Sequence, residues 1–226
     1  MPIIVPDHLR QLFHEFLHEI RNPMSALLTA SSLLSEPNLL EDSDFADLVK
    51  VIGEETRHIN VVVSEFDRYL HVPSPVIEKF DLARLMRTAI QDLQAREILD
   101  KNVRVRDEFP GELMVTGDSS QIEEAMRALL MNAAQALKEN DHSPLLAICP
   151  EESTSSVVFL IRDSGKGFTE ESARRAMDPF YSTRPGATGL GLPLATALIE
   201  NNGGTLEIVP SAKTGEGACL RVTLNK

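Results

Sequence analysis

Two cysteines, Cys149 and Cys219, are all that the 226 residues contain, and they lie far apart in apolar, strand-like segments. No disulfide framework and no zinc-cysteine site can be built from them, so reduced thiols in the core of a cytoplasmic protein are expected. Long apolar runs are missing as well. No stretch approaches the roughly 18 uninterrupted apolar residues of a membrane span, and the start MPIIVPDHLRQLF lacks the basic start and long apolar centre of a signal peptide. Positive charge is scarce: 22 Lys and Arg face 34 Asp and Glu, for a net charge of -12. Such a surface repels phosphate backbones and offers no basic stripe, which excludes nucleic acid as a partner. Internal repeats and low-complexity tracts are absent too. What remains is an ordinary globular composition with 42% hydrophobic residues, enough to bury the cores of two modest domains or one large one.

The most informative segment is Phe16 to Pro23, FLHEIRNP. Its flanks Leu9, Leu12, Phe13, Phe16, Ile20, Leu27 and Leu34 keep a helical apolar period. With positions 9, 13, 16, 20 and 27 as the seam, His18 falls between seam positions and is expected to face solvent, within reach of a second domain. Glu19 beside it can orient the ring or take its proton. Pro23 withholds the amide that would bond the carbonyl of Glu19, and is expected to loosen or bend the helix one turn later. Read locally, the segment stays ambiguous. His14 to His18 spell H-E-F-L-H, the zinc-peptidase pattern with His14, Glu15 and His18, and judged locally a plain surface histidine on a charged helix face is the most ordinary reading.

Helical signals run from Asp7 to about Ser35, pause at EPNLLEDSD and resume from Ser43 to about His71, which predicts a helical hairpin. In the second arm Phe45, Val49, Ile52, Thr56, Ile59, Val63, Phe66 and Leu70 form a heptad seam. Two arms cannot enclose it well, so a second copy is expected to complete a four-helix bundle. The tract VPSPV, residues 72–76, then breaks the helix as a short stiff linker. From Phe80 onward the pattern mixes helix and strand. Asp81 and Asp118 cap helices, NVRVRDEF and ELMVTG are candidate hairpin strands, and PLLAICPE, SSVVFLIRD, GTLEIVP and ACLRVTLN are further strands. The expected fold is thus an all-α hairpin followed by an α+β sandwich, one mixed sheet covered by helices. The expected boundaries are 1–72 for the hairpin, 73–79 for the linker and 80–226 for the sandwich.

Three motifs in the second part point to one chemistry. Asn132, in LLMNAAQAL, sits in an amphipathic helix where its amide oxygen can ligate Mg²⁺. Asp163-Ser164-Gly165-Lys166-Gly167-Phe168 follows an apolar strand, with an acceptor for an exocyclic amine and two glycines that let the backbone pass close to a flat base. DPFYSTRPGATGLGL, residues 178–192, places Gly186, Gly189 and Gly191 before a helix that starts near Leu190, which supplies amides and a positive helix end for a polyphosphate; Arg184 adds a cation.

FLHEIRNP together with these three motifs, in this order, resembles the catalytic core of two-component sensor histidine kinases. The segment resembles their phosphoacceptor box, and the later motifs resemble the asparagine, glycine and phenylalanine boxes of their ATP-binding domain, a fold shared with gyrase, mismatch-repair and chaperone ATPases. NAAQAL, PFYSTR and ATGLGL are most similar to the nitrogen-regulation type. The resemblance implies that Mg·ATP donates its γ-phosphoryl group to His18, with Glu19 as general base, and that an aspartate of a response-regulator receiver domain takes it next. It implies that Asn22 positions water for dephosphorylating that regulator, that Asn132 holds Mg²⁺, and that Asp163 binds the adenine amino group in a pocket shaped by Gly165 and Gly167. Phe180 would anchor a lid over roughly residues 168–188, and Arg184 with Thr188, Gly189, Leu190 and Gly191 would hold the phosphates. It also implies a homodimer, with a sensor domain in a longer parent chain or in trans. Two departures stand out: Arg184 replaces a common lysine, and Gln135 stands where many relatives place a phosphate-binding lysine. ATP-hydrolysing members of the fold carry a glutamate one turn before the asparagine. Here that position is Ala128, which leaves the phosphoryl group to another nucleophile. The competing expectations are a zinc peptidase, for which no third ligand motif is evident, and a non-catalytic dimerisation scaffold.

Overall fold

A computed structural model describes residues 7–35, 42–138, 143–151, 153–210 and 217–226. Two compact units result, one comprising Met1–Leu70 with Pro179–Leu190 and the other His71–Asp178 with Gly191–Lys226.

In the first unit α1 (Asp7–Leu34) packs on α2 (Asp42–Leu70). Pro23 lies inside α1 without ending it, and it is buried, so packing outweighs the lost backbone bond. Ala30, Val62 and Phe66 are buried where the helices meet, and the Phe16 ring stacks on Phe66 at 4.2 Å. The seam expected on α2 therefore divides. Ile52, Ile59 and Phe66 turn toward α1 with Val62, which the expected seam omitted, while Phe45 (55% exposed), Val49, Thr56, Val63 and Leu70 form a stripe left open to solvent. α1 carries a matching open ridge of Phe13, Leu17, Met24 and Leu28, the last 67% exposed.

The second unit contains β1 (Glu78–Asp81), α3 (Leu82–Ala95), β2 (Arg104–Asp107), β3 (Met114–Gly117), α4 (Ser119–Lys138), β4 (Leu145–Glu151), β5 (Ser156–Asp163), α5 (Glu170–Arg175), α6 (Gly191–Asn201), β6 (Thr205–Ile208) and β7 (Cys219–Asn225). Its sheet runs β2-β4-β5-β7-β6 with only β2 and β4 parallel, and β1 pairs separately with β3. Side chains of α3, α4 and α6 such as Met86, Met126, Leu130 and Leu198 form one core with Ile148, Phe159 and Val222 of the sheet. This is the mixed-sheet α+β architecture expected. The expected β2–β3 hairpin is not formed. Arg87 draws the intervening chain aside, pairing with Asp107 at 2.6 Å and donating to the carbonyls of Phe109, Pro110 and Gly111, so β3 meets β1, whose sequence EKFD shows no apolar alternation. Cys149 and Cys219 are free but only partly buried, on strand positions rather than in the core; burial, with Glu108 beside it, pushes the Cys149 thiol up.

The segment before β1 is bound down closely. Asp118 caps α4, its Oδ1 accepting from the amides of Ser120 and Gln121 at 3.0 and 3.1 Å, while Oδ2 accepts from Val76 N at 2.8 Å. The carbonyl of Pro73 accepts from Gln121 Nε2 at 3.0 Å and Asn201 Nδ2 at 2.8 Å. Buried Asn202 closes the network: its Nδ2 donates to Gln121 Oε1 and its Oδ1 accepts from Asp118 N. The polar side chains of Asp118, Gln121, Asn201 and Asn202 are thereby bonded to one another and to the backbone of residues 73 and 76. Residues 73–76 are consequently held against the cap of α4 and the end of α6.

Candidate functional site

In the first unit, His14 and His18 lie one turn apart on α1, both exposed, their rings edge-on at 4.5 Å. The 3.6-residue period sets Phe16, Ile20 and Pro23 toward α2 and leaves His18 outward, as expected. Glu19 is half-buried and Asn22 exposed. Both line a cleft that also takes in Glu55 and His58 of α2 and Phe180 and Arg184 of the segment 179–190. Phe180 adopts φ +63 and seats its ring against the aromatic pair, 5.6 Å from Phe66 and 6.3 Å from Phe16. Thr188 donates its hydroxyl to Glu65 and accepts from Leu190 N at 3.3 Å. At Gly189, with φ +68, a Cβ would stand 2.5 Å from the carbonyl carbon of Phe180, so the two ends of the segment touch and only glycine lets the loop close. Among the described residues no group of three or more His, Cys, Asp or Glu side chains is gathered as a metal would require, and His14, Glu15 and His18 gain no third ligand. Glu15 instead accepts from Gln11 at 3.0 Å.

In the second unit, Asn132 is half-buried on α4. Ala128, one turn earlier, packs against the core, so no carboxylate stands there; Gln135 is exposed. Asp163 ends β5 and is 7% exposed, and its Oδ1 accepts from Gly165 N at 2.8 Å and Ala218 N at 3.3 Å. Ser164 ties the turn to β4 by donating its amide to Leu145 O and accepting Leu145 N on its hydroxyl. Gly165 lies so close to α4 that a Cβ would stand 2.8 Å from Ala136 Cβ, one turn beyond Asn132. The fold thus brings the asparagine helix and the Asp163 turn together, whereas His18, Glu19 and Asn22 belong to the hairpin. Leu190 is fully buried and Gly191 opens α6, whose first amides and positive end are suited to anionic oxygen. Within the expected lid span the structure adds α5, started by a Thr169–Ser172 capping box.

Residues 8–69 match the His Kinase A (phospho-acceptor) domain, and residues 117–226 match the Histidine kinase-, DNA gyrase B-, and HSP90-like ATPase. The chain belongs to the two-component histidine kinases. Among its relatives are a putative sensor histidine kinase NtrY-like from Rickettsia bellii, 29% identical over 92% of this chain and 34% of that protein, and the nitrogen regulation protein NtrY of Azorhizobium caulinodans, 26% identical over 92% of this chain and 27% of that protein. The chain spans about a third of the length of the curated relatives it first matches. The fold of this histidine kinase core is that of the Acinetobacter baumannii histidine kinase AdeS, with a TM-score of 0.65 and 20% identity over 92% of this chain and 97% of that one. It is also that of histidine kinase ThkA solved in complex with response regulator protein TrrA, with a TM-score of 0.76 and 21% identity over 96% of this chain and 61% of that one.

Sequence reasoning missed two contacts of the kinase core. Glu65, which engages Thr188, sits on an ordinary charged helix face and gives no sign of a partner 123 residues away. Gly217 and Ala218, which meet Asp163, had one available sign: a glycine directly before an apolar strand.

Proposed function

We propose that this chain is an ATP-dependent protein histidine kinase core that autophosphorylates on His18, passes the phosphoryl group to an aspartate of a response-regulator receiver domain, and dephosphorylates that regulator. The observation that carries the reading is an exposed histidine with an adjoining carboxylate on a helical hairpin, in the same chain as a buried aspartate set in a turn too tight for any side chain at Gly165. The residues present fit a purine nucleotide. Asp163 is a buried acceptor with backbone donors fixing one oxygen, and the Gly165 turn leaves backbone where a flat base can lie.

Asp163 takes the adenine amino group between Gly165 and Gly167. Asn132 offers its amide oxygen to Mg²⁺, whose charge, when bound, neutralises the phosphate oxygens. The amides of Gly189, Leu190 and Gly191 and the side chains of Arg184 and Thr188 receive the phosphates, and Phe180 anchors the lid. A ring nitrogen of His18 bonds to the γ-phosphorus as the bond from that phosphorus to the bridging oxygen breaks and ADP departs. Glu19 accepts the proton of the other ring nitrogen. Asn22, whose amide cannot take up a proton at neutral pH, orients a water toward the regulator's phosphoaspartate.

Residues 1–72 are the dimerisation and phosphotransfer domain and 80–226 the ATP-binding domain. The open stripes on α1 and α2 favour a homodimer, because each large apolar side chain left in water forgoes roughly 1.5–3 kcal/mol of burial. A sensor domain belongs to a longer parent chain or acts in trans, and the chain works in the cytoplasm. The test is incubation with γ-labelled ATP and Mg²⁺ followed by acid and base treatment. An acid-labile, base-stable label that His18→Gln removes is the expected result, and a label that survives in His18→Gln refutes the assignment.

A further inference from the structure

We infer that His14 and His18 form a two-point site for an exchangeable divalent transition-metal ion such as Zn²⁺, and that filling it blocks phosphoryl transfer to His18. The block rests on the reading of His18 as phosphoacceptor, whereas the site itself stands on α1 alone and uses His14, which the proposed mechanism leaves without a role.

Spacing, exposure and ring contact carry it. The helix α1 runs unbroken from Asp7 to Leu34, so His14 and His18, one turn apart, share a face. Both side chains are exposed, and their rings stand edge-on with centroids 4.5 Å apart and planes at 80°. A tetrahedral ion about 2.0–2.1 Å from one nitrogen of each ring holds the two ring centres roughly 5 Å apart. The rings therefore already stand near the separation of a chelate, and rotation about the soft terminal torsion of each imidazole aims their nitrogens at one point. Among the described residues no hydrogen bond or ion pair draws either imidazole away from the other. Ligand number decides the kind of site. Resident zinc has three or four protein ligands, and here there are two, because Glu15 is held by Gln11 at 3.0 Å. Water fills the other positions, so the ion exchanges with solution instead of staying as a cofactor. Imidazole suits zinc, nickel and copper, while Mg²⁺ takes oxygen ligands, so the Mg²⁺ that accompanies ATP leaves the pair open. The consequence for His18 follows from its electrons. A neutral imidazole has one nitrogen lone pair, because its other nitrogen carries the proton. The bond to phosphorus and the bond to zinc draw on that same pair, so an ion on His18 removes the nucleophile.

The measurement is calorimetric titration of the full chain with Zn²⁺ in the absence of nucleotide, paired with autophosphorylation rates over the same Zn²⁺ range at fixed Mg·ATP. Joining two ligands raises affinity by roughly 10²–10⁴ over either alone, so His14→Ala and His18→Gln should each weaken Zn²⁺ binding by that factor. Without Zn²⁺, His14→Ala should autophosphorylate at the wild-type rate. With it, the wild type should lose activity as the site fills, and His14→Ala should need roughly 10²-fold more Zn²⁺ for the same loss. Both substitutions change one exposed side chain, so folding is not at issue. Binding that is undiminished in either variant overturns the inference, because the ion then sits elsewhere. Equal Zn²⁺ sensitivity of the wild type and His14→Ala overturns it too. The two levels separate by where the phosphoryl label goes. If the label maps to a residue other than His18, the phosphoacceptor reading fails and the block with it, while calorimetry with His14→Ala still decides the site. If the label maps to His18 and calorimetry finds no ion on the pair, only the metal site fails.

Discussion

At the scale of single residues, the proposed mechanism divides the chemistry of the hairpin among neighbours by what each side chain can do with a proton. Glu19 adjoins His18 and can accept one, so Glu19→Gln should slow autophosphorylation by roughly 10²–10⁴ while leaving ATP affinity unchanged. Asn22 cannot, so Asn22→Ala should keep most kinase activity and lose phosphatase activity, read as decay of phosphorylated regulator in the presence of ADP; equal decay with wild-type and variant protein removes Asn22 from the mechanism. His14→Ala should phosphorylate normally even though its ring lies against that of His18, and proteolysis that needs zinc and vanishes in this variant would revive the peptidase reading. The outward position of His18 was legible because helical periodicity alone assigns faces. The surroundings of Asp163 were only half legible: Gly165 follows it two residues later in sequence, but Gly217 reaches it by the pairing of β5 with β7, which no local pattern announces.

At the scale of elements, α4 is where the nucleotide unit is most tightly joined. Its cap, Asp118, accepts bonds from Ser120, Gln121 and Val76, and the Ser120 hydroxyl with these amides holds its carboxyl below the usual carboxylate range. Asp118→Ala should cost about 1–2 kcal/mol of stability, as caps typically do. The sign of the pH dependence follows from the lowered folded value. The contribution is complete above the unfolded pKa, near 4, and fades as pH falls through the folded one. The stability difference between wild type and Asp118→Asn, followed by thermal unfolding from pH 6 to 3, should therefore shrink toward acid; a difference that grows contradicts the assignment. Long helices and apolar strands were readable here because each carries many periods of its pattern. The short elements β1 and α5 were not, since EKFD pairs through its backbone and EESARR is set by a cap rather than by an apolar face.

At the scale of the whole molecule, the hairpin shows why two helices are an incomplete structure. Packing α1 on α2 covers Val62 and Phe66 but leaves Leu28, Phe45, Val49 and Val63 in water. Leu28→Glu or Val49→Glu should shift the chain toward monomer in sedimentation without reducing ATP binding by the second unit, and unchanged sedimentation of both variants contradicts the dimer. The heptad pattern announced that an apolar surface exceeded what two helices can hide. It did not separate the stripe facing α1 from the stripe left open, because a single heptad repeat runs Ile52, Ile59 and Phe66 together with Val49, Thr56 and Val63.

The central claim is that the group receiving the phosphoryl is the histidine the fold leaves outside α1. Its most direct measurement is mass spectrometric mapping of the phosphorylated residue after incubation with ATP and Mg²⁺, under conditions that preserve phosphohistidine. Phosphate on His18 and no incorporation in His18→Gln is the predicted result. Phosphate on His14, His58 or any hydroxyl residue, with His18 unmodified, would contradict it.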